Sequence, residues 1–141
     1  MKQLVRLEDW PSQLFALIEE RRHVPFSFGS QDCCLFACDT VLAITGEDPA
    51  APFRGYTGRE EAEELVASFG DLEKLVATVC TEKGFAEWST PNKARRGDLC
   101  LFDNAGQPAV GVCIGGEVAF PGARGLVFHP LQACRRAWRV G

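Results

Sequence analysis

The segment Gly29-Ser30-Gln31-Asp32-Cys33-Cys34-Leu35-Phe36 places an acid and two cysteines immediately before an apolar run. Asp is a helix-capping residue type, so Cys33 is expected in the first helical turn, where unpaired backbone N–H groups and the helix dipole favour a thiolate. Cysteine nucleophiles are commonly presented this way, from a helix start against a sheet that supplies the base. The competing reading makes Cys33 and Cys34 small buried hydrophobes. A nucleophile needs a proton acceptor, and the chain has two histidines, His23 and His129. His23 follows Glu19-Glu20-Arg21-Arg22 and reads as a solvated residue at a helix end. His129, between Phe128 and Pro130, is a base for Cys33 only if its strand comes close. The chain contains no phosphate-binding glycine loop, H-E-x-x-H or G-x-S-x-G.

Metal chemistry is the other use for thiols. Cys34 and Cys38, four apart, share one helix face, an acceptable ligand spacing. No C-x-x-C is present, and Cys80, Cys100, Cys113 and Cys134 are scattered singly, so a four-ligand zinc or iron–sulfur site needs two of them to converge. A metal or iron–sulfur module therefore stands as a second alternative, while the expectation is no metal and no cofactor. Seven is a high, odd number of cysteines, and several lie in apolar runs, which points to a reducing compartment with structural thiols and no disulfide. Helix geometry also disfavours bridges between Cys33 and Cys34 or between Cys34 and Cys38. Lys93, Arg95, Arg96, Arg135, Arg136 and Arg139 bias the second half towards positive charge, and with Trp88 and Trp138 they are candidate interface anchors. Core packing serves the tryptophans equally well. Glu60, Glu61, Glu63 and Glu64 form a solvated acidic face.

These residues sit in a chain of 141 residues, 46% hydrophobic and 24% charged, which suits one globular domain spanning 1–141. A net charge of −4 argues against a sequence-independent nucleic-acid binder. The longest apolar run, Cys33 to Cys38, is far short of the roughly 20 residues of a membrane span. Met1-Lys2-Gln3-Leu4-Val5-Arg6 shows no signal-peptide pattern. Residues up to about 90 read as helical: Asp9 caps a helix carrying Leu14, Leu17 and Ile18, and a buried central helix runs from about Ser30–Asp32 to Thr45 with Gly46 after it. Thr57-Gly58-Arg59-Glu60 reads as a capping box, and Asp71 opens a fourth helix. From about 91 the period becomes two, with short strands around 98–103, 109–114, 117–120, 126–129 and 137–140. Asn104-Ala105-Gly106 and Gly115-Gly116 mark hairpin turns. Helices followed by an antiparallel meander give an α+β domain.

Phe28-Gly29, Asp32-Cys33 opening an apolar helix, Arg96-Gly97-Asp98-Leu99-Cys100-Leu101-Phe102 and Val110-Gly111-Val112-Cys113-Ile114-Gly115 together resemble the NlpC/P60 papain-like cysteine peptidases. The likeness is closer to a phage- and prophage-encoded relative of that superfamily. That relative shares the features seen here as Gly46-Glu47-Asp48-Pro49-Ala50, Phe53-Arg54-Gly55, Phe120-Pro121-Gly122, Gly125-Leu126-Val127-Phe128 and Arg136-Ala137-Trp138-Arg139-Val140. The resemblance covers nearly the whole chain. It implies an α+β NlpC/P60-like fold, with a central helix packed on a C-terminal antiparallel sheet or small barrel. By position, Cys33 matches the nucleophile and Ala109 stands where the histidine belongs; the third, polar member falls on apolar Ala119–Phe120. The expectation is therefore a non-catalytic assembly component of a phage or prophage tail tip (baseplate). Such a protein is made in the bacterial cytoplasm and incorporated in the virion tail, with other tail-tip proteins as partners and no nucleic acid or membrane span. The alternative is a cysteine hydrolase of cell-wall peptides using Cys33 and His129. If the alignment holds, the Cys33 sulfur lies roughly 4–7 Å from the Ala109 Cβ, beside Phe28, Phe120 or Phe128, with an ordinary or mildly depressed thiol pKa.

Overall fold

The helix that carries Cys33 begins where an aspartate satisfies it and ends where a glycine lets the chain turn back. Asp32 Oδ1 accepts the Leu35 N–H at 2.8 Å, and Gly46, at φ +82°, sends its N–H to the Leu42 carbonyl. The computed structural model describes residues 4–141, so Met1, Lys2 and Gln3 of the N-terminal reading lie outside the described residues. Four helices come first: α1 (Trp10–Arg21), α2 (Cys33–Thr45), α3 (Gly58–Phe69) and α4 (Leu72–Glu82). Five strands follow: β1 (Leu99–Asn104), β2 (Gln107–Cys113), β3 (Glu117–Gly122), β4 (Gly125–Pro130) and β5 (Arg136–Trp138). Asp9 precedes α1 without a backbone cap, its Oδ2 accepting instead from the Gln13 side chain at 2.9 Å. The capping box at Thr57 does not form either, because the Thr57 hydroxyl donates to the Glu61 carboxylate at 2.7 Å.

The strands form one antiparallel sheet in the order β4-β3-β2-β1-β5, so this is an α+β domain whose sheet, among the described residues, is not closed into a barrel. The Asn104-Ala105-Gly106 signal produces a two-residue hairpin loop, with Ala105 at φ +53° and Gly106 at φ +82°. Positive φ at both positions matches the right-handed twist of the flanking strands.

Both faces of the sheet are buried over most of β1, β2 and β3, while much of β4 is exposed. Leu99, Leu101, Val110, Val112, Ala119 and Trp138 meet Phe36, Val41 and Ile44 of α2 and Leu75, Val76 and Val79 of α4. On the opposite face, Cys100, Phe102, Ala109, Cys113, Val118 and Phe120 pack beneath Ala94, Leu131 and Cys134 from the connecting 3-10 turns and loops. β2 and β3 pair only at Val112↔Ala119 and Cys113↔Val118, which leaves the first half of β2 free of β3. Gly111 stands at the parting point, where an added Cβ would lie 2.6 Å from the Ala119 carbonyl oxygen. That close approach accounts for the small residue between two valines.

Candidate functional site

The unpaired half of β2 is where the start of α2 arrives. The Val110 N–H donates towards the Cys33 sulfur, as does the N–H of Cys34. The thiol nevertheless has its pKa pushed up to about 12, with burial the largest cause and the neighbouring Cys34 and Asp32 adding to it. Cys33 is partly open to a cleft as a residue, yet its sulfur is desolvated, and two amides do not compensate. This corrects the expectation of an ordinary or depressed thiol. The helix dipole is opposed here by the cap itself, a carboxylate one residue away.

Asp32 is 5% exposed and fully engaged. Besides Leu35 N–H, it accepts the Gly29 N–H at 3.0 Å and the Tyr56 hydroxyl through Oδ2. The Tyr56 pKa is raised, first by burial and then by that hydrogen bond. Asp32 thus organises the helix start and offers the thiol no free acceptor. Gly29 is fixed by the same arrangement: at φ +87° it lies against the Tyr56 carbonyl, which a Cβ would strike. Gly29→Ala should cost about 2 kcal/mol or more, from positive φ plus the backbone clash, read as a lower urea midpoint at unchanged slope.

Over Cys33 opens a cleft of about 600 Å³ between α2, α3 and β2, bordered by Phe26, Phe28, Tyr56, Leu65, Val66 and Pro108. Phe26 and Phe28 meet edge-to-face at 4.7 Å at its mouth. Of the three aromatics expected to narrow the site, only Phe28 is there. Phe120 belongs to the opposite face, and Phe128 is 39% exposed on β4.

The histidine positions need correction. Ala109 packs with Phe102 and Phe120 on the face away from the helices, whereas Cys33 packs with the helix-side core, so the two side chains do not face each other. The neighbouring Pro108 borders the Cys33 cleft instead. In a strand, consecutive side chains take opposite faces, so an alignment one residue out exchanges them. His129 is not brought to Cys33 either: its ring stacks on Phe102 at 4.4 Å on the far face, with Nε2 buried and unpartnered. His23 is exposed after α1. No histidine lines the cleft among the described residues.

The thiols are all free, and the sheet brings three together that the sequence scatters: Cys100 contacts both Cys113 and Cys134 on the far face. These contacts and burial push the Cys100 thiol well up. Cys34 and Cys38 also meet, one turn apart on α2. Among the described residues no group of three or more His, Cys, Asp or Glu is placed to hold a metal ion. Of the candidate anchors, Trp138 is 2% exposed and is core, while Arg135 and Arg136 pair with Glu73 and Arg136 also with Glu87. Trp88, Arg95, Arg96 and Arg139 share a different cleft, together with Arg6. Arg6 has no local motif to single it out, since its partners lie 90 to 134 residues away.

A family model described as a domain of unknown function (DUF6950) matches residues 5–140. The chain belongs to the DUF6950 family. No curated protein matches the sequence. The DUF6950 match runs from the residue before Arg6 through β5, so it takes in Cys33, its cleft and nearly all of the basic cleft.

Proposed function

We propose that this protein is a non-catalytic assembly component of a phage or prophage tail tip, with a degenerate NlpC/P60-like fold. The observation that carries the non-catalytic part is the state of Cys33. It holds the place of a nucleophile at a helix start, but its thiol is held protonated and the adjacent Asp32 carboxylate already accepts three hydrogen bonds. Pro108, which reaches the same cleft from β2, has no proton-accepting group. The tail-tip part rests on the full-length sequence resemblance. An active peptidoglycan-peptide hydrolase would need a base other than histidine, since none borders this cleft among the described residues.

Deletion of the gene from the phage or prophage that carries it should abolish infective tails, and a copy bearing Cys33→Ala should restore them. That substitution removes one partly buried sulfur, at a stability cost of about 1 kcal/mol or less. Normal tails after deletion would overturn the assembly role. A folded Cys33→Ala protein that fails to restore infectivity would return the enzyme reading, to be met by turnover assays on muropeptides.

A further inference from the structure

We propose that a second cleft, on the side of the molecule where the start and end of the described chain meet, binds a small phosphate-bearing ligand. It has a volume of about 500 Å³, within the range of small-molecule sites, and is bordered by Arg6, Trp10, Trp88, Arg95, Arg96 and Arg139. The inference is independent of the tail-tip reading.

Among the described residues, the hydrogen bonds of the cleft pair only one of its four arginines, Arg6, with a carboxylate. Its one acidic side chain, Asp98, is 1% exposed and has both oxygens occupied. Oδ1 takes Arg6 Nη2 at 2.8 Å and the Val140 N–H at 3.1 Å; Oδ2 takes Trp88 Nε1 and the Arg95 N–H, each at 2.9 Å. Arg6 is further pinned by its Nε on the Val140 carbonyl and its Nη1 on the Arg96 carbonyl, both at 2.7 Å. The guanidinium groups of Arg95, Arg96 and Arg139 have no carboxylate partner among the described residues, whereas Arg21, Arg54, Arg135 and Arg136 each have one. Three open cations and a fixed fourth thus converge in a chain whose net charge is −4. Arg6 has its pKa lowered, chiefly by burial, with repulsion from Arg139 and Arg96 contributing. A bound oxyanion would relieve that repulsion.

Ligand class follows from donor geometry. Guanidinium forks match phosphate oxygens bidentately, and a phosphate ester brings nearly two charges and three acceptor oxygens. The indoles add a flat apolar surface. Trp10 already carries Arg6 at 4.2 Å and Arg96 at 5.6 Å from its ring, and Trp88 is held edge-on by Asp98. Gly97 makes the arrangement possible: at φ +93°, an added Cβ would lie 2.9 Å from Arg6 Nη1.

The test is calorimetric titration of the full chain at low ionic strength with inorganic pyrophosphate and with ADP, using sulfate as the reference anion. Saturable 1:1 binding tighter than sulfate is expected. It should weaken about tenfold or more in Arg95→Ala/Arg139→Ala and in Arg96→Glu. Arg59→Ala, which breaks only the exposed pair with Glu63 on α3, should leave binding unchanged. Tighter binding of ADP accompanied by a change in tryptophan fluorescence assigns the ligand to nucleotides; equal affinity for both assigns it to the bare phosphate group. All three altered arginines are exposed, so the variants should fold, as checked by circular dichroism. No saturable binding of either compound to millimolar concentration would overturn the proposal. So would binding that both cleft variants leave within about twofold.

Discussion

At pH 8, iodoacetamide should modify Cys33 in the folded protein about a thousandfold more slowly than an unperturbed cysteine. Only the thiolate reacts, and moving the pKa from 9.0 to about 12 lowers its fraction at this pH by about 10³. The rate should still be climbing at pH 11, measured by mass spectrometry of the Cys33 peptide. A plateau below pH 9 would show the thiol to be activated. The same displacement acts on stability. Above pH 9 the unfolded thiol ionises while the folded one stays protonated, so the folded state loses stability as pH rises from about 9 towards 12. Cys80, also pushed up to about 12 by burial, contributes in the same direction. Substituting either cysteine by Ala should flatten this alkaline decline. Introducing an imidazole discriminates the two β2 positions. Pro108→His should move the alkylation profile to lower pH, whereas Ala109→His, buried against Phe102, should destabilise the sheet and leave the profile where it was.

Replacing Asp98 by Ala should remove about 3–5 kcal/mol, the largest loss expected from any single substitution outside the apolar core. The carboxylate accepts four hydrogen bonds, and without it the half-buried Arg6 guanidinium, the Trp88 indole and two backbone N–H groups lose their acceptor. Asp98→Asn keeps the shape but turns one oxygen into a donor facing donors, so it should be nearly as costly. Chemical denaturation reads both. A loss under about 1 kcal/mol would mean that water replaces the carboxylate and that the junction is loosely held.

The sequence marked the elements well where a local rule governs them. Asp32 and Gly46 bracket α2 to within a residue, and Asn104-Ala105-Gly106 locates the β1–β2 hairpin. It failed on which way β2 faces. Along β2, Ala109, Val110, Val112 and Cys113 are all buried, so the alternation carries no polar side to say which residues meet the helices. The Val-Gly match then fixed the histidine position one residue away from the one that borders the thiol. The meeting of Cys100, Cys113 and Cys134 depends on strand register and on a 3-10 turn, neither visible in spacing. The Asp98 hub joins residues 6, 88, 95 and 140, and no pattern within any short window signals it.

That hub also sets the order in which the molecule is finished. Arg6 cannot be pinned until Val140 is present, and β5 must add to β1 across a separation that begins at Leu101↔Arg136. Closing a loop from residue 6 to residue 140 costs on the order of 4 kcal/mol of chain entropy. During synthesis the α1–α2 and α3–α4 pairs and the β1–β4 meander can assemble as they emerge, since each is made of chain neighbours. The outer edge of β1 and one acceptor position on Asp98 Oδ1 stay open until residues 136–140 arrive. The chain therefore locks only once residues 136–140 are in place. A nascent copy stalled short of Val140 should remain as protease-sensitive at the Gly97 turn as an unfolded one.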